Sequence, residues 1–244
     1  MTDERNLSPA TIRNRCWAAE RFLDRLRPKG GRLQTITLSQ IDEAFQRMLG
    51  AEGYARVTIQ TWAGELRAFF RFAEMRGWCR NGIADGIQGP RIFAHASLPI
   101  GPSWEDVRRL LAMTEGDTKV DIRDRAILML LAIYGLRAGE VSRLRLEDLD
   151  WEGESLTVAP SKSQRTRTSP LVRSVGDAVL RYLREVRPRS VHREVFLSLL
   201  YPFEPLRPAA LWPIVAKRLR TLDTSLPHHG PHALRHACAA RMLS

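Results

Sequence analysis

The chain has 244 residues, enough for one large or two small domains, and 44% of them are hydrophobic, which excludes wholesale disorder. Lysine and arginine together number 38 against 27 acidic residues, and the net charge of +11 favours a polyanionic partner such as nucleic acid or an anionic membrane surface. A GC-rich genome is the alternative explanation of this charge, because 34 of the 38 basic residues are arginine.

The chain begins with a polar segment that has no apolar run, so no signal peptide is expected. Three scattered cysteines do not form a disulfide framework, which favours the reducing cytosol: Cys16, Cys79 and Cys238. Helical spacing of apolar residues predicts three helices in the first ninety residues. The first runs from Ser8-Pro9 to a stop at residues 28–31. The second begins near Ser39, with Asp42 as its capping-box partner, and ends at Gly50. The third runs from about Val57 to Arg76 and is capped by Gly77.

Residues 80–103 carry turn and breaker signals without an apolar period, which predicts a linker between two domains. A further helix is predicted to start at Ser103, with Asp106 completing its cap.

The remainder is mixed. A strongly apolar helix over 122–134 is predicted at the centre of the core. The longest nearly unbroken apolar run of the chain, the eleven residues 126–136, is too short for a membrane span of about 20. After the corner at 135–137 we predict a short helix with Val141 and Leu144. Strands are predicted over 149–151, 156–159 and 169–172, and helices over 174–187, over 208–222 and from Pro231 onward.

Basic and imidazole side chains stand at the corners of these elements. Arg137 follows the apolar helix, Lys162 lies in the loop of a predicted hairpin, and His232 and Arg235 are three residues apart on one helix face. If these groups converge, they form a site for a phosphate, because guanidinium groups bind phosphate oxygens in pairs. Each taken alone also has a structural explanation: a helix cap, a solvated lysine or a hydrogen-bonded core histidine.

Two segments resemble a known family. The segment YGLRAGEVSRLRLEDL, residues 134–149, resembles the first arginine box of the tyrosine recombinases, the phage integrase family, and PHALRHACAARML, residues 231–243, resembles their His-x-x-Arg box. The position of Lys162, 25 residues after Arg137, fits the hairpin lysine of that family. The resemblance implies a mainly helical protein with a small antiparallel sheet: a helical SAM-like core-binding domain over 1–90, a linker over 91–103 and a catalytic domain over 104–244.

The resemblance also implies a role for each residue. Arg137 and Arg235 would hold the scissile phosphate, Lys162 would protonate the leaving 5′ oxygen, and His232 would hydrogen-bond the phosphate. Glu140 would support the positively charged side chains of the active site. A tyrosine would attack DNA to give a 3′-phosphotyrosyl link, with no ATP, metal or other cofactor. The implied partner is double-stranded DNA, bound by a homo-oligomer that is a tetramer in a recombination complex, in the cytoplasm on the nucleoid and not at a membrane.

In the family, the nucleophilic tyrosine follows the His-x-x-Arg helix. All four tyrosines of this chain precede Arg235: Tyr54, Tyr134, Tyr182 and Tyr201. None matches the nucleophile, so we expect a catalytic domain that is incomplete at its C-terminus and a chain that does not cleave DNA alone. The alternative is a non-catalytic DNA-binding recombinase fragment. A tyrosine donated by a full-length relative in a mixed assembly is a further hypothesis.

Three arginines beside Lys162 are candidate contacts to the DNA backbone: Arg165, Arg167 and Arg173. The arginines between 181 and 193 are interpreted either as a nucleic-acid patch or as a solvated helix face. A metal enzyme is a remote alternative, suggested by four histidines: His228, His229, His232 and His236. No glutamate lies between His232 and His236 as in a zinc-protease helix, and we expect no metal.

Overall fold

The computed structural model describes residues 9–26, 32–92, 101–159, 166–222, 226 and 228–243. The chain divides into two compact units, residues 1–96 and 97–244. Within the described residues, no helix is long and apolar enough to cross a membrane.

The first unit is helical. Its elements are α1 (Pro9–Leu26), a 3-10 turn (Leu33–Thr35), α2 (Leu38–Gly50), α3 (Arg56–Met75) and the short α4 (Ile83–Gly86). Each long helix buries one face in a common core, in which Phe22 of α1 and Phe45 of α2 lie 5.1 Å apart between ring centroids. The three predicted long helices are therefore present, and their ends lie within about one residue of the prediction wherever those ends are described.

Two details of the first unit differ from the prediction. Helix α2 is capped by Thr37 and not by Ser39, because the Thr37 hydroxyl accepts from the Gln40 N–H and the Gln40 side chain accepts from the Thr37 N–H. The predicted linker over 80–103 contains α4, and Ile83, Ala84 and Ile87 are buried in the core of the first unit. Its apolar residues are too few to show a period in sequence, yet they close one end of this core.

The second unit combines helices with a small sheet. Its elements are α5 (Trp104–Ala112), α6 (Lys119–Ile133), α7 (Ala138–Arg143), β1 (Leu149–Asp150), β2 (Ser155–Val158), β3 (Arg167–Pro170), α8 (Arg173–Glu185), α9 (Leu211–Arg220) and α10 (Pro231–Leu243), with 3-10 turns at Leu146–Asp148 and Pro208–Ala210. Ser103 and Asp106 form the predicted capping box of α5. The mainly helical fold with a small antiparallel sheet is confirmed.

Helix α6 lies at the centre of the second unit. Residues 126–132 are buried without interruption, so the helix is covered on every side, and α5, α8 and α10 pack against it. It begins at Lys119, three residues earlier than predicted, because Thr118 caps it through the Asp121 N–H. The C-terminal end of this rigid helix is therefore a fixed platform for the corner that follows.

The sheet is antiparallel in the order β1-β2-β3, with Leu156 opposite Ser169 and Val158 opposite Arg167. Leu156 and Val158 face the core. The third strand was predicted two residues too late. Pairing ends at Pro170, and Val172 instead caps α8 while its N–H donates to the Tyr134 hydroxyl. The first strand likewise ends before Trp151, where a turn begins.

Candidate active site

The corner after α6 is shaped by one glycine. Gly135 has φ +58°, a left-handed conformation that favours glycine, and it turns the chain so that Leu136 is buried and Arg137 begins α7. Glu140, three residues after Arg137, hydrogen-bonds back to this corner. The hydroxyl of Tyr134, three residues before Arg137, bonds instead to Pro170 and Val172 at the end of the sheet.

Glu140 is a buried carboxylate whose side chain is 2% exposed. Its Oε2 accepts from the Arg137 backbone N–H at 2.8 Å, and its Oε1 accepts from Arg137 Nη1 at 2.9 Å. A glutamate at this third helical position commonly reaches back to the first N–H of a helix, and here it also holds the guanidinium. Arg167 Nη2 of β3 lies 3.6 Å from the same carboxylate. One buried anion thus orients two arginines.

The electrostatics of this network favour the charged carboxylate. Burial by itself raises the pKa of Glu140, but the hydrogen bonds from Arg137 and the charges of Arg137 and Arg167 outweigh burial and bring that pKa below its ordinary value. Glu140 therefore stays ionised at neutral pH. It keeps the two guanidiniums close together where they would otherwise repel each other.

Helix α10 packs against the same corner. Arg235 Nη1 donates to the carbonyl of Gly135, and one turn further Cys238 Sγ lies 3.4 Å from the carbonyl of Ile133. The buried face of the helix is formed by Ala233, Leu234 and Ala237. Arg235 and Arg137 are thus anchored two residues apart on one corner, although 98 residues separate them in sequence.

The imidazoles at the start of α10 lie in a positive environment. His232 is exposed and His236 is half-buried one turn later. Burial lowers the pKa of His236, and His232, Arg235 and His228 lower that pKa further through their charges. The imidazoles of α10 and the two guanidiniums around this corner supply hydrogen-bond donors to an anion, and a bound anion relieves the repulsion between the guanidiniums.

Gly135 offers a test of this packing. A Cβ at Gly135 meets Cys238 Sγ at 3.2 Å and Arg235 Cγ at 3.8 Å, whereas one at Gly77, with φ +69°, meets nothing within 4 Å. We expect Gly77→Ala to cost only backbone strain, about 1–2 kcal/mol. We expect Gly135→Ala to cost about 1 kcal/mol more, because the side chain of Cys238 must also give way by a few tenths of an ångström. Urea unfolding of the unit that carries each substitution measures both, and equal losses would contradict the close packing of α10 on the corner.

The structure describes most but not all of the predicted site residues. It brings together Arg137, Glu140 and Arg235 through one corner, with His232 on the same helix as Arg235. Lys162 and Arg165 lie outside the described residues. Arg167 lies on β3 beside Glu140, and Arg173 is exposed at the first residue of α8.

The arginines between 181 and 193 divide by their contacts. Arg181 pairs with Asp117 and Glu185, and Arg193 pairs with Glu147. Arg187 donates to the carbonyls of His192, Glu194 and Val195 and so holds the loop that follows α8. These three arginines have structural partners, which disfavours a nucleic-acid patch, but only Arg181 among them lies on α8, so the segment is not one helix face.

Sequence reasoning missed two contacts of the corner: the approach of Arg167 to Glu140 and the hydrogen bonds of Tyr134. The Tyr134 hydroxyl donates to the Pro170 carbonyl at 2.8 Å and accepts from the Val172 N–H at 2.7 Å. The sequence signal was present, since Tyr134 belongs to the arginine box. For the four histidines, the described residues contain no group of three or more His, Cys, Asp or Glu side chains that could hold a metal ion, so the metal hypothesis gains no support there.

The first unit has a separate basic cleft. Arg21 and Arg25 of α1 face Arg47 of α2 across a cavity of about 490 Å³, with Asp24 and Glu52 at its edge. Arg25 is fixed by Glu52 at 2.8 Å and lies over the ring of Trp62 at 5.5 Å, while its buried Nε finds no partner among the described residues. The cleft thus has an excess of donors over acceptors.

Comparison with known families gives matches to both halves of the chain. Residues 103–244 match the family described as "Phage integrase family", and residues 1–77 match "Phage integrase, N-terminal SAM-like domain". The two matches together cover most of the chain.

Relatives and solved structures agree with these matches. The chain is 33% identical over 243 residues to y4rF of Sinorhizobium fredii, whose name describes it as a putative integrase/recombinase; the alignment covers 98% of this chain and 57% of y4rF. It is 31% identical to the tyrosine recombinase XerC of Alcanivorax borkumensis, covering 100% of this chain and 78% of XerC. A lambda integrase dimer bound to a core site has a TM-score of 0.74 at 17% identity, covering 97% of this chain and 80% of that one, which supports the fold alone.

Proposed function

The chain belongs to the phage integrase family of tyrosine recombinases, and on that premise we propose that it binds duplex DNA and holds the phosphate at which a strand is broken and rejoined. The observation that carries this proposal is the corner after α6. There the buried carboxylate of Glu140 orients Arg137, and Arg235 of α10 is anchored to the carbonyl of Gly135. Two arginine forks on one rigid corner suit the oxygens of one phosphate diester.

Each residue has a proposed part in strand breakage. Arg137 and Arg235 bind the non-bridging oxygens and stabilise the charge of the pentacovalent transition state. His232 donates a hydrogen bond to the phosphate and takes part in moving the proton of the nucleophile, and Lys162 protonates the leaving 5′ oxygen. Glu140 keeps the guanidinium of Arg137 in place. Support for these parts comes from the hydrogen bonds of Arg137, Glu140 and Arg235 and, for Lys162 and His232, from the family motif.

The proposed reaction exchanges one ester for another. A tyrosine oxygen attacks phosphorus, the bond from phosphorus to the 5′ oxygen breaks, and the tyrosine proton leaves as the 5′ oxygen gains one. A 5′ hydroxyl reverses the reaction in rejoining the strand. Because the phosphotyrosyl ester keeps the energy of the diester, the balance requires no ATP.

We further propose that these 244 residues by themselves bind DNA without cleaving it. The four tyrosines all precede Arg235, and the chain spans 57% of y4rF, so the nucleophile is assigned to none of them. The described contacts support this proposal for Tyr134, whose hydroxyl has two backbone partners, and for Tyr182, which is fully buried and accepts from the Leu197 N–H at 3.2 Å. Tyr201 is 86% exposed and serves as the test case.

A covalent-adduct assay tests both proposals. The substrate is a nicked duplex that contains the cognate site, which is sought in the DNA that flanks the gene. The nick traps the phosphotyrosyl product, because the short fragment that carries the new 5′ hydroxyl diffuses away and cannot reverse the reaction. The chain of 244 residues is compared with a chimera in which Ser244 is followed by the corresponding C-terminal segment of the XerC relative. An adduct from the chimera alone supports both proposals.

Other outcomes of that assay contradict one proposal each. An adduct from the 244 residues that disappears in Tyr201→Phe means that Tyr201 is the nucleophile, and the proposal of a non-cleaving chain is wrong. The chimera could instead bind the cognate site specifically and form no adduct there. That result contradicts the assigned phosphate site.

The cleft of the first unit is proposed as a contact to the DNA backbone. Arg21 and Arg47 carry exposed guanidiniums at its rim, and the structure describes no hydrogen bond from either to another residue. Phosphate contacts of this kind supply affinity that falls with salt, because bound counterions are released.

We expect Arg47→Gln to reduce the slope of log K against log salt by about 0.9, the value for one lost phosphate contact. Arg76→Gln is the matched control, since Arg76 is an exposed arginine of the same unit that stacks on Phe72 at 5.1 Å. Titration of a labelled duplex with the 244-residue chain at several salt concentrations measures the slopes. If both variants change the slope equally, the cleft does not contact DNA and only net charge matters.

Assembly on DNA is part of the same proposal. We propose a homo-oligomer on double-stranded DNA from the family resemblance; the lambda integrase structure of similar fold is itself described as a dimer on its core site. Light scattering of the 244-residue chain with and without duplex DNA tests it.

A further inference from the structure

Tyr134 and Glu140 flank Arg137 at equal distances in sequence, and both contact β3. Tyr134 donates to the carbonyl of Pro170, the last residue of the strand, and Arg167, its first residue, lies 3.6 Å from Glu140. Both ends of one strand are thus tied to the two sides of the corner that presents Arg137.

The tie at Tyr134 is specific in its geometry. Its hydroxyl donates to Pro170 O at 2.8 Å and accepts from Val172 N at 2.7 Å, so a single oxygen bridges the end of β3 and the cap of α8. Because burial raises the pKa of Tyr134, the hydroxyl keeps the proton that the first of these bonds needs. A phenylalanine fills the same space and makes neither bond.

We propose that Tyr134 is a positioning residue which fixes the hairpin of β2 and β3 to the corner that carries Arg137, so that Arg167 and Arg137 act on one phosphate together. This inference rests on the proposed function and adds a residue to it. It gives a physical reason for the tyrosine at the start of the arginine box: its ring is packed in the second unit, while its hydroxyl sets the distance between two parts of the site.

The lock has a consequence for Arg167. Thr157 and Thr168 pair across the hairpin at 3.1 Å, and Val158 lies opposite Arg167, so β2 and β3 move as one ribbon. If the end of that ribbon is released from Tyr134, the 3.6 Å approach of Arg167 to Glu140 is the remaining described side-chain tie between the strand and the corner. At this length, and with the Arg167 guanidinium half exposed, the pair holds the strand only weakly on its own.

Hydrogen exchange of the 244-residue chain tests the lock without DNA. In Tyr134→Phe we expect the amides of β3 and of residues 171–172 to exchange at least about tenfold faster relative to the rest of the second unit. Tyr182→Phe is the matched control, because it removes one buried hydrogen bond in the same unit, from Leu197 N at 3.2 Å, and leaves β3 untouched. Exchange that accelerates equally across the unit in both variants overturns the lock.

A phosphate-discrimination cycle tests the function of the lock. Affinity is measured for the nicked cognate duplex with either a phosphate or a neutral methylphosphonate at the scissile position, at one salt concentration. The wild-type chain is expected to prefer the phosphate by about tenfold or more. Tyr134→Phe reduces this ratio at least threefold, whereas Tyr182→Phe, which lowers stability, leaves the ratio unchanged.

The outcomes separate this inference from the proposed function. A wild-type ratio of one contradicts the phosphate site itself, and the exchange data then decide by themselves whether Tyr134 holds β3. A normal wild-type ratio that Tyr134→Phe leaves intact overturns the positioning role of Tyr134 while the phosphate site stands.

Discussion

Arg235→Ala is expected to reduce phosphotyrosyl adduct formation about 10²–10³-fold in the chimera that carries a C-terminal tyrosine, the usual loss when one pre-organised donor to a transition-state oxyanion is removed. Arg235 is held before substrate arrives, because Nη1 donates to the Gly135 carbonyl and its helix is packed on the corner. Pre-organisation of this kind means that little free energy is lost in orienting the guanidinium during the reaction. Single-turnover adduct formation on the nicked duplex, at saturating protein, measures the effect on chemistry separately from binding.

Arg241→Gln provides the control for Arg235→Ala. Arg241 belongs to the same helix, carries the same charge and lies 3.8 Å from the centroid of the Trp104 ring. We expect adduct formation by the Arg241→Gln chimera to stay within about threefold of wild type, because salt screens the effect of one exposed charge on the reaction. Arg235→Lys restores the charge without the two-pronged donor geometry and is expected to stay impaired. Full activity of Arg235→Lys would show that charge alone matters at this position.

Glu140→Ala is expected to lower the free energy of unfolding of the second unit by about 2–3 kcal/mol, the range for lost hydrogen bonds to a charged group. The loss stays below that of a fully buried ion pair, because the side chains of Arg137 and Arg167 are 35% and 50% exposed and turn toward water when the carboxylate is removed. Urea unfolding at pH 7 measures it. Glu147→Ala is the control, since Glu147 forms an exposed pair with Arg193 and is expected to change stability by less than about 0.5 kcal/mol.

The contribution of Glu140 to stability depends on pH with a sign that can be checked. The folded-state pKa of Glu140 lies below its ordinary value, so the folded state binds fewer protons than the unfolded state in the acid range. Its contribution is therefore fully present above the unfolded pKa of about 4.3 and is lost as pH falls through the lower folded pKa. Glu140→Gln removes this part of the acid limb. An unchanged slope of stability against pH between 5 and 3 would contradict the role of Glu140 as a buried anion.

Much of the helical architecture could be predicted from local signals. The capping box of Ser103 and Asp106 and the apolar run of α6 each act over a few residues, and both predictions are confirmed. The predicted stop of the first helix at residues 28–31 lies outside the described residues. The errors arose where tertiary contacts overrode such signals. Ile83, Ala84 and Ile87 fold back into the first core from a segment rich in turn residues, and β3 ends two residues early because Val172 is taken by the Tyr134 hydroxyl.

The candidate site divides in the same way. Arg137, Glu140, His232 and Arg235 were identified from two motifs, because a motif specifies residue types at fixed spacing. The partner that each finds across the fold was not identified. That Arg235 reaches Gly135, that Arg167 approaches Glu140 and that Tyr134 bonds to Pro170 are contacts over sequence separations of 100, 27 and 36 residues.

The sequence by itself determined the family motifs, the basic charge and the order of helices, since these depend on residue identity and on interactions within a few turns. Only the tertiary structure decided which side chains meet at the arginine corner. The reason is physical: the burial of α6 fixes where the corner stands, and the docking of α10 and β3 onto it depends on the shape of the whole second core. A glycine at 135 is readable as a turn, but its closeness to Cys238 exists only once α10 is packed.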